Sequence, residues 1–125
     1  MLPQEYRLKR MKDFEILFKE GWFVAGNLLT AKVWKINVEK YKKRDYKESD
    51  LKIGFVVGLK VSKKAVERNR LKRQMREVVR LLLKEGKIKS GYMIALVVKP
   101  EMLGADYEIV EKEVLDIFKK GNLLK

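Results

Sequence analysis

Apolar positions change period several times along this chain, and each change marks an element. Residues 11–20 place Phe14 and Phe18 four apart, on one face of a short helix that Gly21 stops. From Trp22 to Val38 the pattern becomes that of a strand. Leu29, Ala31 and Val33 alternate with Thr30, Lys32 and Trp34, which predicts one face buried and the other open. Residues 39–51 are polar and charged and predict a flexible loop. Residues 52–59 are almost continuously apolar and read as a central strand. Beyond Ser62, a candidate cap, a helical period runs to about Lys84 and meets Gly86. Gly91 to Lys99 reads as another buried strand, closed by Pro100. Asp106 is placed to cap a last helix with Tyr107, Val110, Val114, Ile117 and Phe118 as its apolar stripe and Gly121 as its end. The order helix, two or three strands, helix, strand, helix predicts an α+β fold.

Composition narrows the class. At 125 residues the chain suits one domain, 1–125, and its 46% hydrophobic content separates it from a disordered basic tail. It has no cysteine, so disulfide scaffolds and cysteine-ligated zinc are excluded. It has no histidine, so the commonest general base and metal ligand is missing as well. No apolar run approaches the roughly 18 residues of a membrane span, and the start lacks the apolar stretch of a signal peptide. A cytoplasmic protein without membrane contact is expected.

Charge is what changes the picture. The formal net charge is +13, and residues 60–80 alone hold nine basic and two acidic side chains. Five of the eight arginines fall in that segment, as Arg68, Arg70, Arg73, Arg76 and Arg80, whereas lysine prevails elsewhere. A planar guanidinium grips phosphate oxygens in a bidentate fork, so arginine chosen against a lysine background points to phosphate recognition. On a helical wheel Leu71, Met75, Val78, Val79 and Leu82 share one arc. Lys72, Arg76, Asn69, Arg80 and Arg73 share the neighbouring arc, with Arg68 at the boundary. One face therefore docks on a sheet while the next presents guanidinium groups. Lys63 and Lys64 oppose the helix dipole in the first turn, an arrangement that a polyanion would reward. Asn69 among arginines either makes a specific hydrogen bond or is neutral.

The segment Ala65-Val66-Glu67-Arg68-Asn69-Arg70-Leu71-Lys72-Arg73-Gln74-Met75-Arg76-Glu77 resembles the arginine-asparagine-arginine signature of the bacterial ribonuclease P protein family. The similarity extends to Tyr6-Arg7-Leu8-Lys9-Arg10, Asp13-Phe14, Phe18 and Gly21. It continues through Ile53-Gly54-Phe55-Val56-Val57 and from Gly91-Tyr92 to Lys99-Pro100, in the family's order. The resemblance implies a four-stranded α+β fold with a left-handed βαβ crossover carrying the basic helix. It implies a protein subunit that binds the catalytic ribonuclease P RNA and the 5′ leader of precursor tRNA. Catalysis then resides in the RNA, so no catalytic residue is expected here. Mg2+ would be bound mainly by RNA, the protein alone requiring no cofactor or metal and no obligate protein partner. Carried over by position, Lys60, Lys63, Lys64, Arg68, Asn69, Arg70, Lys72, Arg73, Arg76 and Arg80 are implied as RNA contacts. Arg10, Phe14, Phe18, Lys32 and Trp34 are implied as a leader cleft between the first helix and the open sheet face. The chain departs from the family where Gly58-Leu59-Lys60 replaces the usual basic pair, and where Lys32, with Trp34 two residues on, takes the place of an aromatic.

Other readings remain open at this level. Core packing of a short helix accounts equally well for Phe14 and Phe18, and Trp34 could cover the sheet beneath another element. Asp13 and Glu15 fit a cap or a solvated face better than a metal site. Lys42, Lys43 and Arg44 fit a loop exerting only long-range attraction. A structural RNA-binding protein of ribosomal type shares the charge pattern but needs no aromatic cleft. A major-groove DNA reader would need a second helix making a tight helix-turn-helix, and none is predicted.

Overall fold

The computed structural model describes residues 2–125. Helix α1 spans Met11–Glu20, strands β1 and β2 span Trp22–Ala25 and Leu29–Lys35, and β3 spans Leu51–Val56. Helix α2 follows at Ala65–Lys84, then β4 at Tyr92–Val98 and α3 at Tyr107–Lys120. Short 3-10 turns at Gln4–Tyr6 and Pro100–Met102 complete the order. This is the expected α+β order, with the 22–38 stretch resolved into a hairpin of two strands. The sheet runs β1-β2-β4-β3, antiparallel except for the parallel pair β3–β4, which α2 connects.

Central placement of β3 is corrected: β4 lies inside the sheet and β3 at its edge. Its continuous apolar run arises because both of its faces are covered, which says nothing about its edges. The edge itself is shielded by the N-terminal segment. Arg7 bridges to Ile53, and the Leu8 N–H donates to the Ile53 carbonyl at 3.1 Å. That arrangement hides the open ladder groups that would otherwise invite pairing with another chain.

The main core lies on one sheet face. Leu29, Ala31, Val33, Ile53, Ile94 and Leu96 meet the buried stripes of α2 and α3 there. All five α2 residues of the apolar arc are buried, as the helical period requires. Helix α2 ends at Lys84 as expected, and Gly86 beyond it adopts φ 67°, a left-handed conformation that glycine takes at little cost. The cap expectation is corrected. Lys64 occupies the N-cap position, and Ser62 sits two residues upstream, accepting from Lys64 N at 3.0 Å and donating to Glu67 at 2.6 Å. Asp106 does cap α3, accepting from Ile109 N at 3.0 Å. Glu113, buried on the α3 stripe, accepts the Leu28 N–H at 3.4 Å, tying the β1–β2 turn to the helix.

On the second face a smaller core gathers Leu8, Ile16, Leu17, Trp34, Ile36, Met93 and Ala95 under α1. Two glycines let α1 approach this closely. A β-carbon on Gly54 would lie 2.9 Å from the Phe14 ring. One on Gly21 would lie 2.5 Å from the Val33 carbonyl oxygen and 2.6 Å from that of Leu17. Backbone atoms cannot swing aside as a side chain can. Gly21→Ala should therefore lower stability by about 1–3 kcal/mol in urea unfolding, by levering the end of α1 off β2. Wild-type stability in that variant would show that the contact has slack.

Candidate functional site

Two surfaces carry the residues singled out above. The first is the outer face of α2, where Val66, Asn69, Arg73 and Arg76 line a shallow groove of about 470 Å³. Helical spacing explains their alignment, since these positions recur every three or four residues on the side away from the core. Val66 is 77% exposed, an unusual place for a branched aliphatic side chain on a basic face. The Arg76 guanidinium lies 6.0 Å from the centroid of the Phe55 ring, which steadies it beside the edge strand. Lys72 is half-buried on the same arc, and Lys60, Lys63 and Lys64 are exposed around the entry to the helix.

Not every basic residue of the segment is equally available. Arg68 donates from Nη1 to the Ser62 carbonyl at 2.9 Å, so it braces the loop before the helix. Arg80 makes two hydrogen bonds to Glu77, at 3.0 and 2.7 Å. That pairing holds the Glu77 carboxyl below its ordinary range and raises Arg80, leaving a largely neutral unit. Arg70 is exposed but turns away from the groove, toward a small recess beside Leu103, Gly104 and Ala105.

The second surface is the sheet face under α1. Strand register arranges it in three rows: Trp34–Met93–Lys52, then Phe23–Lys32–Ala95–Gly54, then Ala25–Thr30–Val97–Val56. Helix α1 packs over the middle row, with the Phe14 ring above Gly54. The third row remains partly exposed, and helical spacing puts Phe18 on the flank of α1 opposite Asp13 and Glu20, so that with Phe23 it borders the open strip of sheet beside α1. Phe18 is 45% and Phe23 62% exposed, and the Lys32 ammonium lies 5.9 Å from the Phe23 ring centroid. Two aromatic faces and a cation thus flank an apolar floor.

The first row is closed. Trp34 is only 6% exposed, so its assignment to an open cleft is corrected. The polar segment between β2 and β3 folds back as a strap, and the rings of Tyr41 and Tyr46 meet the Trp34 indole edge-on at 5.6 and 5.8 Å. Two α1 carboxylates anchor it. Asp13 accepts from Tyr46 Oη at 2.5 Å and from Arg44 Nη2 at 2.9 Å. Glu20 accepts from Tyr41 Oη at 2.6 Å and from Lys40 Nζ at 2.9 Å. The Lys40 ammonium, then the Tyr41 hydroxyl, hold Glu20 below the ordinary carboxylate range. Arg44 is therefore a structural anchor and Asp13 its buried acceptor, while Lys42 and Lys43 stay exposed.

The structure does not bring all the cleft candidates together. Phe18 and Lys32 border the groove, whereas Phe14 is half-buried as packing beneath the helix. Arg10 lies at the opposite end of α1, in a recess shared with Arg7, Lys9, Lys52 and Asp45. Phe23 was missed by the sequence reading. The signal was there, because Gly26-Asn27 between two β-prone runs marks a hairpin and pairs Phe23 with Lys32 on one face.

Comparison with known proteins covers nearly the whole chain. A profile of the ribonuclease P family matches residues 2–122. The ribonuclease P protein component of Microcystis aeruginosa is 36% identical over 98% of this chain and 96% of its own length. That of Synechocystis is 31% identical over 98% of this chain and 90% of its own. The ribonuclease P protein of Thermotoga maritima, solved with a fluorophenyl thiourea, superposes with TM-score 0.71 at 27% identity, covering 91% of this chain and 98% of that one. The Staphylococcus aureus protein has the same fold, with TM-score 0.76 at 21% identity over 96% and 98% of the two chains.

The strap carries a pH signature. Burial, then the hydrogen bond to Asp13, push the Tyr46 hydroxyl up to about 12 from an ordinary value of 10.0. Between those values the folded chain keeps a proton that the unfolded chain releases, so stability falls as pH rises from about 10 to about 12. Tyr46→Phe should flatten this alkaline decline relative to wild type in urea unfolding at successive pH values. Parallel declines in the two proteins would show that the hydroxyl is not sealed by the strap.

Proposed function

The chain belongs to the ribonuclease P protein family, and from that membership and the two surfaces we propose that it is the subunit that joins precursor tRNA to the catalytic RNA. The outer face of α2 binds ribonuclease P RNA. Arg73 and Arg76 fork phosphate oxygens, Asn69 hydrogen-bonds beside them, and Lys60, Lys63, Lys64 and Lys72 add charge around the contact. Arg68 and Arg80 serve mainly to fix the helix and its entry, because their guanidinium groups are already engaged. Arg70 contacts RNA only at the margin of the groove.

The 5′ leader occupies the groove between α1 and the third row of the sheet. Unpaired bases stack on aromatic rings at about 1–3 kcal/mol each without demanding a sequence, which suits a leader that differs among precursors. Phe18 and Phe23 supply the rings, and Lys32 meets a phosphate between them. The observation that carries this reading is the pairing of Phe23 with Lys32 at the border of the third row, the row that neither α1 nor the strap covers among the described residues, with Phe18 exposed on α1 beside it.

Hydrolysis of the phosphodiester bond then falls to the RNA and its Mg2+ ions. Among the described residues no three carboxylates gather as a metal site, and Asp13 is committed to Arg44 and Tyr46. The protein contributes orientation and charge neutralisation, holding the leader so that the scissile bond meets the RNA's metal ions. No helix among the described residues is long and apolar enough to cross a membrane.

Three variants separate the surfaces. Arg73→Ala with Arg76→Ala should weaken binding to ribonuclease P RNA at least tenfold and lower the salt slope by about 0.7–0.9 per lost contact. Phe18→Ala or Phe23→Ala should cost about 1–3 kcal/mol in affinity for leader-bearing precursor and nothing for mature tRNA. Equal losses for precursor and mature tRNA would remove the leader from this groove. RNA affinity untouched by the double arginine change would remove the RNA from α2.

A further inference from the structure

Strand β1 is the other edge of the sheet, and consecutive residues on it point to opposite faces. Phe23 borders the leader groove, and its neighbour Trp22 stands on the opposite face, directly around the edge. Trp22 is 45% exposed although it is one of the largest apolar side chains in the protein. Its ring meets Tyr92 edge-to-face at 6.3 Å, so it is held in place and not merely protruding. Tyr92 in turn lines a concave surface of about 600 Å³ with Lys35, Lys89, Ser90 and Lys125, and Glu48 is the one acidic side chain there.

None of Lys35, Lys89 or Lys125 makes a side-chain ion pair or hydrogen bond among the described residues, unlike Lys40 or Arg44 on the strap. Three unpaired ammonium groups, opposed by the single side-chain carboxylate of Glu48, lie beside two fixed aromatic rings and repeat, on the far face, the chemistry of the groove around Phe23. An unpaired RNA strand is the partner that needs both features, phosphates for the lysines and bases for the rings. The two rings are consecutive on the edge strand, one on each face, so a chain leaving Phe23 need only round β1 itself to reach Trp22.

We propose that the part of the leader farthest from the cleavage site leaves the groove at Phe23, rounds the edge at β1 and continues onto Trp22, Tyr92 and the Lys35–Lys89 surface. This rests on the assignment of the leader to the Phe18–Phe23 groove. The protein thus grips a long leader on both sides of the sheet and a short one on a single side. Leader length, not only leader presence, sets affinity.

The experiment uses the full chain assembled with a bacterial ribonuclease P RNA and two precursors, with leaders of about 4 and about 16 nucleotides, a range that brackets the footprints of single-strand grooves. Trp22→Ala should weaken binding of the long-leader precursor about fivefold or more and leave the short-leader precursor and mature tRNA at wild-type affinity. Lys35→Gln with Lys89→Gln, which removes no core side chain, should lower the salt slope for the long leader alone by about 0.7 per contact. If both variants bind the long leader as wild type does while Phe18→Ala loses leader-dependent affinity, the extension is wrong and the groove stands. If Trp22→Ala weakens all three RNAs equally, the extension is likewise overturned. If Phe18→Ala and Trp22→Ala both bind precursor and mature tRNA as wild type does, the groove assignment falls and the extension with it.

Discussion

A parallel pair of strands cannot be closed by a tight turn, so the pairing of β3 with β4 obliges the chain to leave the sheet and return, and α2 is that return. Register on β4 then decides what α2 buries, and the buried arc decides what it shows. Leu71, Met75, Val78, Val79 and Leu82 are consumed by the main core. The arginines and Asn69 are left outward because no other positions on the helix remain. The outward guanidinium groups are therefore held at the spacing of helical turns by the largest core in the molecule. A rigid comb of guanidinium groups loses less entropy on meeting phosphates than a flexible basic tail would.

The second face of the sheet is organised by a different kind of contact. Its core is small, and polar anchors do part of the work that area does elsewhere. Asp13 and Glu20 each take one tyrosine hydroxyl and one cation from the strap. Their spacing along α1 places the two anchors roughly two turns apart, about 10 Å. Between them the tyrosine rings seal Trp34. The closed side makes the groove one-sided, and on this face of the sheet the exposed large aromatic side chains are Phe18 and Phe23. Rings that must stay accessible for stacking would be a liability if they spread across the whole face.

Long periods were legible in the sequence. Helices α1 and α3 emerged with their ends, and α2 with its C-terminal end, because apolar spacing, Gly21 and Gly86, and the Asp106 cap all agreed; the N-cap of α2 lies two residues beyond the expected Ser62. Three features were not legible, each for a definite reason. Alternation fixes parity but not cover, so Trp34 looked open although a segment of mostly charged residues closes over it. Apolar continuity reports covered faces and not neighbours, so β3 looked central while Arg7 and Leu8 shield its free edge. Charge counts treat arginines alike, so the hydrogen bonds of Arg68 to the Ser62 carbonyl and of Arg80 to Glu77 were not visible in them. Phe23 was recoverable, since reading Gly26-Asn27 as a hairpin turn places it beside Lys32.

Dependence of cleavage on both components and on the leader is what the whole account predicts. The most direct measurement follows cleavage of a 5′-extended precursor tRNA at low Mg2+ by a bacterial ribonuclease P RNA, with and without the purified chain. Accurate removal of the leader only when both are present, with competition by leader-bearing precursor stronger than by mature tRNA, is the predicted result. Tight binding to such RNAs with no stimulation of cleavage would contradict the account and leave a structural RNA-binding protein in its place.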